Sequence, residues 1–363
     1  MASADGLIDL DGSVLEGGGQ ILRIGAAITA LLQKPLRVQQ IRAGRSNPGL
    51  RPQHLAGLEL VTEICRGKLE GGYPKSLCIM LVPNKIRGGH YLADTQTAGS
   101  ICLLMQISLP VMLFADQEVE IVYRGGTDAD YAPSIDHFTM IFQSVAKHFG
   151  IEFDCKVRTR GYYPRGGGEV VLRTRPIRFL KPVNLTDPGT VVRITGRAFV
   201  AGVLPIKIAH TMAHVATEVI RAVYPKVAIE IQAVKEQNAI GNGTGIIIMA
   251  ETSTRCRLAG SALGKKGVPA EKVGEEAADM LLNNLEHQGC VDEYLQDQLI
   301  IFMALAKGHS TLKCGALSLH TETAIHVAKT LTNAKFEVKE VAGISGSFTI
   351  ECDGIGLENR SAR

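Results

Sequence analysis

Tryptophan is absent from this chain of 363 residues, and aromatic side chains make up only 5% of it. So few rings argue against a broad surface on which successive nucleic-acid bases stack. Long hydrophobic runs are missing as well. The longest, "ICLLMQISLPVMLF" at 101–114, is interrupted by Gln106 and Pro110, and it falls short of the roughly 20 residues that a membrane-spanning helix needs. The N-terminal "MASADGLIDLDG" is acidic and has no apolar core of a secretory leader, so secretion is not expected. None of the eight cysteines pairs at CxxC spacing; neither a zinc site nor a disulfide framework is indicated, and reduced thiols are the expectation. Charge of one sign is also scarce. A net +3 is too small to mark a nucleic-acid binder by itself. No common nucleotide-binding motif occurs. The nearest, "GSALGKKG" at 260–267, has one residue too few between its glycines and no Ser or Thr after the lysine.

What is present is a regular alternation of helix and strand signals, which predicts an α+β protein, an α/β sandwich. "QILRIGAAITALL" sets Ile21, Ile24, Ile28 and Leu31 on one helical stripe, and Pro35 ends it. "LRPQHLAGLELVTEICRG" reads as a second helix, and "TAGSICLLMQISLPVML" with "PSIDHFTMIFQSVAKHF" repeats the pair. Residues 1–186 therefore read as two copies of a unit of two helices and a four-stranded sheet. Residues 187–287 break the rhythm and read as a smaller inserted α/β domain. Residues 288–363 return to a third copy of the two-helix unit.

Several residues carry chemistry. "GGG" occurs at 17–19 and again at 166–168, where glycines permit positive φ and close backbone approach. "IRAGRSNPGLRPQH" gathers Arg42, Arg45, Arg51, Gln53 and His54 with no acidic residue, a composition suited to phosphate. In "VDEYLQDQL", Tyr294, Asp297 and Gln298 share one helical face by i, i+3, i+4 spacing, with Leu295, Leu299, Phe302 and Met303 opposite as core. His210 and His214 have the spacing of metal ligands, but no third ligand accompanies them. His320 ends an apolar strand in "CGALSLHTET", with Thr321 and Thr323 as candidate caps of the next helix. Amides at such a helix N-terminus can collect phosphate oxygens.

The blocks "LEGGGQILR", "IRAGRSNPGLRPQH", "TAGS", "RGYYPRGGGEV" and "LSLHTET" stand in the order in which they occur in the RNA 3'-terminal phosphate cyclases, and the chain resembles that family from end to end. The resemblance is to its catalytic members in animals. It implies a fold of three two-helix, four-stranded repeats with one inserted domain, the repeat being similar to that of the enolpyruvyl transferases. It implies ATP-dependent conversion of an RNA 3'-terminal phosphate into a 2',3'-cyclic phosphate, through a covalent histidine–AMP and an RNA-adenylate. On matching positions, His320 is the nucleophile. Glu16, Gln20, Gln106, Pro133, Tyr294, Asp297 and Gln298 surround the adenylate, and Glu16 also serves a Mg²⁺ or Mn²⁺ ion. Arg23, Arg42, Arg45, Gln53 and His54 hold phosphates of ATP or of the RNA end. His137 stands where bacterial-type members have a phenylalanine, which leaves Tyr131 or Phe138 to stack on adenine. The implied partner is RNA with a 3'-phosphate, with no membrane and no obligate protein partner. The implied location is the nucleus, with the cytoplasm as a further site. The competing expectation is a cyclase-like protein of ribosome assembly that keeps the fold without the chemistry.

Overall fold

A computed structural model describes residues 6–362. The chain opens with β1 (Ile8–Asp11), α1 (Gly19–Leu32), β2 (Leu36–Gln39), α2 (Pro52–Ile64), β3 (Lys68–Glu70) and β4 (Ile79–Val82). Next come β5 (Gly89–Asp94), α3 (Ile101–Leu113) and β6 (Val119–Gly125). A composite helix, α4, follows in four parts: Ile135–His137, a π-turn at Phe138–Phe142, Gln143–Ala146, and a 3₁₀ turn at Lys147–Phe149. β7 (Phe153–Gly161) and β8 (Gly168–Thr174) complete this stretch, and β9 (Asn184–Leu185) follows. After it lie β10 (Val191–Val200), α5 (Lys207–Val223), β11 (Ala228–Lys235), β12 (Ala239–Ile240), β13 (Thr244–Thr252), β14 (Arg257–Leu263) and α6 (Ala270–Glu286). The chain closes with α7 (Glu293–Leu305), β15 (His309–Cys314), α8 (Leu319–Leu331), β16 (Lys335–Glu340) and β17 (Phe348–Asp353).

Three sheets share one strand order: β1-β2-β4-β3, β5-β6-β8-β7 and β9-β15-β17-β16. In each, the first pair is parallel and the other two pairs are antiparallel. The third sheet draws its first strand, β9, from residues that precede β10–α6. The small unit therefore interrupts the third sheet instead of standing ahead of it, because Asn184 and Leu185 already pair with Thr311 and Leu312. The small unit has its own sheet, β11-β10-β13-β14. Its strand β14 has too little β-branched content to stand out in the sequence.

The helices of the three sheets meet at the centre: α1 packs on α2, α3 and α8, and α7 packs on α8. One continuous apolar core runs through them, including Ile21, Ile28, Leu58, Met105, Leu299 and Phe302. The small unit buries a separate core around Met212, Ile220, Ile248, Val273 and Leu281. Several contacts join it to the rest, among them Ile247, Met249 and Ala259, which enter the main core. Strand β12 adds itself to the edge of the second sheet, beside Arg160 and Gly161. A buried charge network also spans the junction. Arg160 grips Asp136 through two parallel bonds at 2.8 and 2.7 Å. Arg197, from the small unit, reaches the same carboxylate at 2.7 Å and Glu236 at 2.5 Å. All eight cysteines are free thiols. Among the described residues, no helix is long and apolar enough to cross a membrane.

Candidate active site

The first glycine run shapes the entry to α1. Gly17 has φ of +56°, which glycine tolerates and most residues resist. A Cβ on Gly18 would overlap the Glu16 carboxylate, and one on Gly19 would lie 2.6 Å from His54 Nε2 and 2.8 Å from Arg23 Nη1. The run therefore lets three functional side chains close over bare backbone. The second run does a different job. Gly166 and Gly167, with φ of +63° and +71°, turn the chain between β7 and β8.

Glu16 is held on several sides. Its N–H donates to Thr323 Oγ1 at 3.2 Å, its carbonyl accepts from Arg45 Nη2 at 2.7 Å, and Arg45 also contacts Oε1. Its Oε2 is buried with no partner. From α1, Gln20 Nε2 donates to Asp297 Oδ2 at 2.7 Å, and Gln20 Oε1 accepts from Arg23. Burial raises the Asp297 carboxyl above its ordinary range, while the charges of Arg23 and His320 and the Gln20 bond pull it back. His54 is half-buried, and its Nδ1 accepts from the Arg51 N–H at 3.3 Å. Burial, with the charges of Arg23, Arg42 and Arg51, pushes its pKa down to about 3, so it stands neutral.

His320 is exposed in the first turn of α8. The helix is capped by Ser318, whose Oγ accepts from the Thr321 N–H at 3.2 Å, and not by Thr321 or Thr323. His320 thus sits inside the helix start, one residue beyond the first, instead of at the strand end. Its neighbours are fixed by Gln296, a residue the sequence reading passed over. Gln296 accepts from Thr321 Oγ1 at 3.1 Å and donates to the Ala316 carbonyl at 3.2 Å, so it braces the chain on both sides of the histidine. Nothing in the local pattern distinguishes it from the surrounding polar positions.

The structure thus gathers Glu16, Gln20, Arg23, Arg45, His54, Asp297 and His320 around the starts of α1 and α8. Others are placed differently. Arg42 turns its guanidinium onto the Asn47 and Gly49 carbonyls at 2.5 and 3.1 Å, holding its own loop. Gln53 accepts from the Ser100 N–H at 3.1 Å and ties α2 to the cap of α3. Gln106 Oε1 is buried on α3 without a partner. Gln298 is buried and donates to the Tyr294 carbonyl at 2.5 Å. Asp297 is buried too, so α7 has no water-facing polar side beyond its first turn. Tyr294 lines a cavity of about 280 Å³ with Asp128, Tyr131, Ser134 and Lys265, and Pro133 is buried next to Ser134. His137 is 1% exposed, with Nε2 3.1 Å from Asp292 and its ring edge-on to Tyr294. Phe138 is buried against Phe142 and Phe153, so it has no face to offer a ligand; Tyr131 is 96% exposed.

Among the described residues, no cluster of three or more His, Cys, Asp or Glu could hold a metal alone. The orphaned Glu16 Oε2 suits an ion such as Mg²⁺, which commonly takes one carboxylate and completes its shell with phosphate and water.

The sequence matches known proteins. The family model for RNA 3'-terminal phosphate cyclase matches residues 14–338. An RNA 3'-terminal phosphate cyclase of Drosophila melanogaster is 40% identical over 359 residues, covering 98% of this chain and 99% of that protein. Proteins of the same name from Hyperthermus butylicus and Pyrobaculum aerophilum are 39% and 36% identical, covering 96% of this chain and 98% and 99% of their own lengths. Matched along nearly its whole length, this chain belongs to the RNA 3'-terminal phosphate cyclase family.

Proposed function

We propose that this protein uses ATP to convert an RNA 3'-phosphate into a 2',3'-cyclic phosphate, with His320 as the nucleophile. The observation that carries the reading is His320 itself: exposed in the first turn of α8, braced through Gln296, and facing the electrostatic reach of buried Asp297. A terminal phosphate monoester is a poor electrophile because its leaving group is oxide or hydroxide. Adenylylation replaces that with AMP. A neutral imidazole nitrogen of His320 attacks the α-phosphorus of ATP; the P–N bond forms as the P–O bond to pyrophosphate breaks. An oxygen of the RNA 3'-phosphate then takes the adenylyl group and frees the imidazole. The neighbouring 2'-OH attacks the activated phosphorus, loses its proton and releases AMP. Because that hydroxyl is already on the same ribose, proximity contributes up to about 7–11 kcal/mol in the most favourable intramolecular cases.

Each residue then has a task. Arg23 and Arg45 offset phosphate charge. His54, held neutral by burial and the arginines around it, fills the space above Gly19. Asp297, through Gln20, keeps Arg23 in place. Glu16, through its unpartnered Oε2, would hold a divalent ion, which would offset negative charge on the phosphates of ATP. Tyr294, Pro133, Gln106 and Gln298 shape the adenylate side, with Tyr131 as the exposed ring that stacks on adenine. Residence in the nucleus, expected from the family's eukaryotic members, is part of the same proposal.

The test is incubation with α-labelled ATP followed by a denaturing gel. Wild type acquires a covalent label and His320→Ala acquires none. A labelled alanine variant excludes His320 as the nucleophile, and an unlabelled wild type favours a binding-only role.

A further inference from the structure

A larger cavity, about 1250 Å³, lies between the β7–β8 turn and the small unit, and no step above uses it. Its floor is apolar, with Leu204, Ile208, Met212 and Leu263. Its rim leaves Tyr163 81% and Val203 84% exposed. Arg165 from the turn and Lys266 from the small unit, both exposed, bring positive charge from opposite sides. Two polar atoms among the lining residues have no partner: the Tyr162 hydroxyl and Asp128 Oδ1, each in a residue only 4% exposed. Burial and the Asp128 charge keep the Tyr162 hydroxyl a donor, while Asp128 Oδ1 is an acceptor. A nucleobase edge offers the complementary pair.

This groove runs into the Tyr294 cavity, since Asp128, Asp130, Leu263, Lys265 and Val268 line both. Tyr294 is one helical turn from Asp297. We propose that the groove takes the single-stranded RNA leading up to the reacting 3'-phosphate, with bases against Tyr163 and the apolar floor and backbone phosphates against Arg165 and Lys266. The proposal rests on the cyclase reading. An exposed ring, Tyr163, set between two cations fits a short run of single-stranded nucleic acid better than an apolar peptide. It also gives the small unit a role, as one wall of an RNA channel.

The test compares wild type, Arg165→Ala/Lys266→Ala and Tyr163→Ala on 3'-phosphate RNAs: a dinucleotide and an oligomer of about ten nucleotides, the reach of a typical single-strand groove. Wild type is expected to bind the oligomer about tenfold more tightly than the dinucleotide, and the double variant to lose that advantage. The double variant's slope of log affinity against log salt should fall by about 1.4, or about 0.7 per phosphate contact removed. Tyr163→Ala should weaken oligomer binding without changing the slope. Both variants should form the enzyme–AMP adduct at the wild-type rate. Equal binding of the two RNAs by wild type, or a full length advantage in the double variant, overturns the proposal. Loss of the adduct in wild type would instead strike at the cyclase reading, so the two failures are separable.

Discussion

A single methyl group tests the glycine cradle. At Gly19 an added Cβ meets only the ends of two side chains, His54 and Arg23, so these move while the backbone stays. Gly19→Ala is therefore expected to keep its melting temperature, alanine being favoured over glycine in a helix by up to about 1 kcal/mol. Its rate of adduct formation should fall at least about tenfold, the equivalent of 1.4 kcal/mol. A variant that loses both together would show that the cradle is a folding requirement. His54 supplies a second test, on pH. Its folded pKa, about 3, lies below the ordinary 6.5, so the unfolded chain binds the extra proton first. Stability from this ring is complete above pH 6.5 and declines as pH falls from 6.5 toward 3. The slope is at most about 1.4 kcal/mol per pH unit and smaller here, because the ring is half-exposed. His54→Gln should lose less melting temperature than wild type between pH 7.5 and 5.5.

At the scale of the element, α7 is the hub of the site. Asp292 caps it and accepts from the Leu295 N–H at 2.9 Å, from the Ala259 N–H of β14 at 3.0 Å and from His137 at 3.1 Å. One buried carboxylate thus ties α7 to α4 and to the small unit, and sets the rotation that presents Tyr294 and Asp297. Asp292→Ala strands three donors; removing one member of a buried polar set costs about 3–5 kcal/mol. Thermal unfolding should show a drop of that order, accompanied by weaker ATP binding. A change within about 0.5 kcal/mol, the range of an ordinary surface substitution, would deny α7 this role. The helix also shows where periodicity misleads. Tyr294, Asp297 and Gln298 share a face as their spacing predicts, yet Asp297 and Gln298 are buried and Tyr294 is half-buried, because α7 packs against α8 and α3 and Gln20 of α1 closes over Asp297.

Over the whole molecule, five charges help to orient the small unit. Asp128, Asp136 and Arg160 belong to the second sheet and its loops, and Arg197 and Glu236 to the small unit. Burial together with the Asp136 charge pushes Asp128 up to about 6, with the arginines opposing. Arg197→Met removes the only cation the small unit contributes to this set, and leaves buried carboxylates under-neutralised. A loss of about 3–5 kcal/mol follows. Hydrogen exchange should rise at β12 and at the chain crossings near residues 187 and 290, while the core at α1 and α3 stays protected. Uniform loosening of both cores would mean the two units fold as one.

Composition and periodicity alone determined the α+β class, the absence of a spanning helix and the position of the helix stripes. These depend on local spacing and on the hydrophobic effect, both of which act along the chain. Ordered motifs pointed to the family, and to the residues that converge at α1 and α8. Only the tertiary structure decided that Arg42 holds its own loop, that Phe138 lies in the core, that Gln296 braces His320, and that β9 pairs with β15 across the intervening unit. Each of those depends on which groups meet through space, where burial fixes which polar atoms are satisfied, and no spacing along a chain records such meetings.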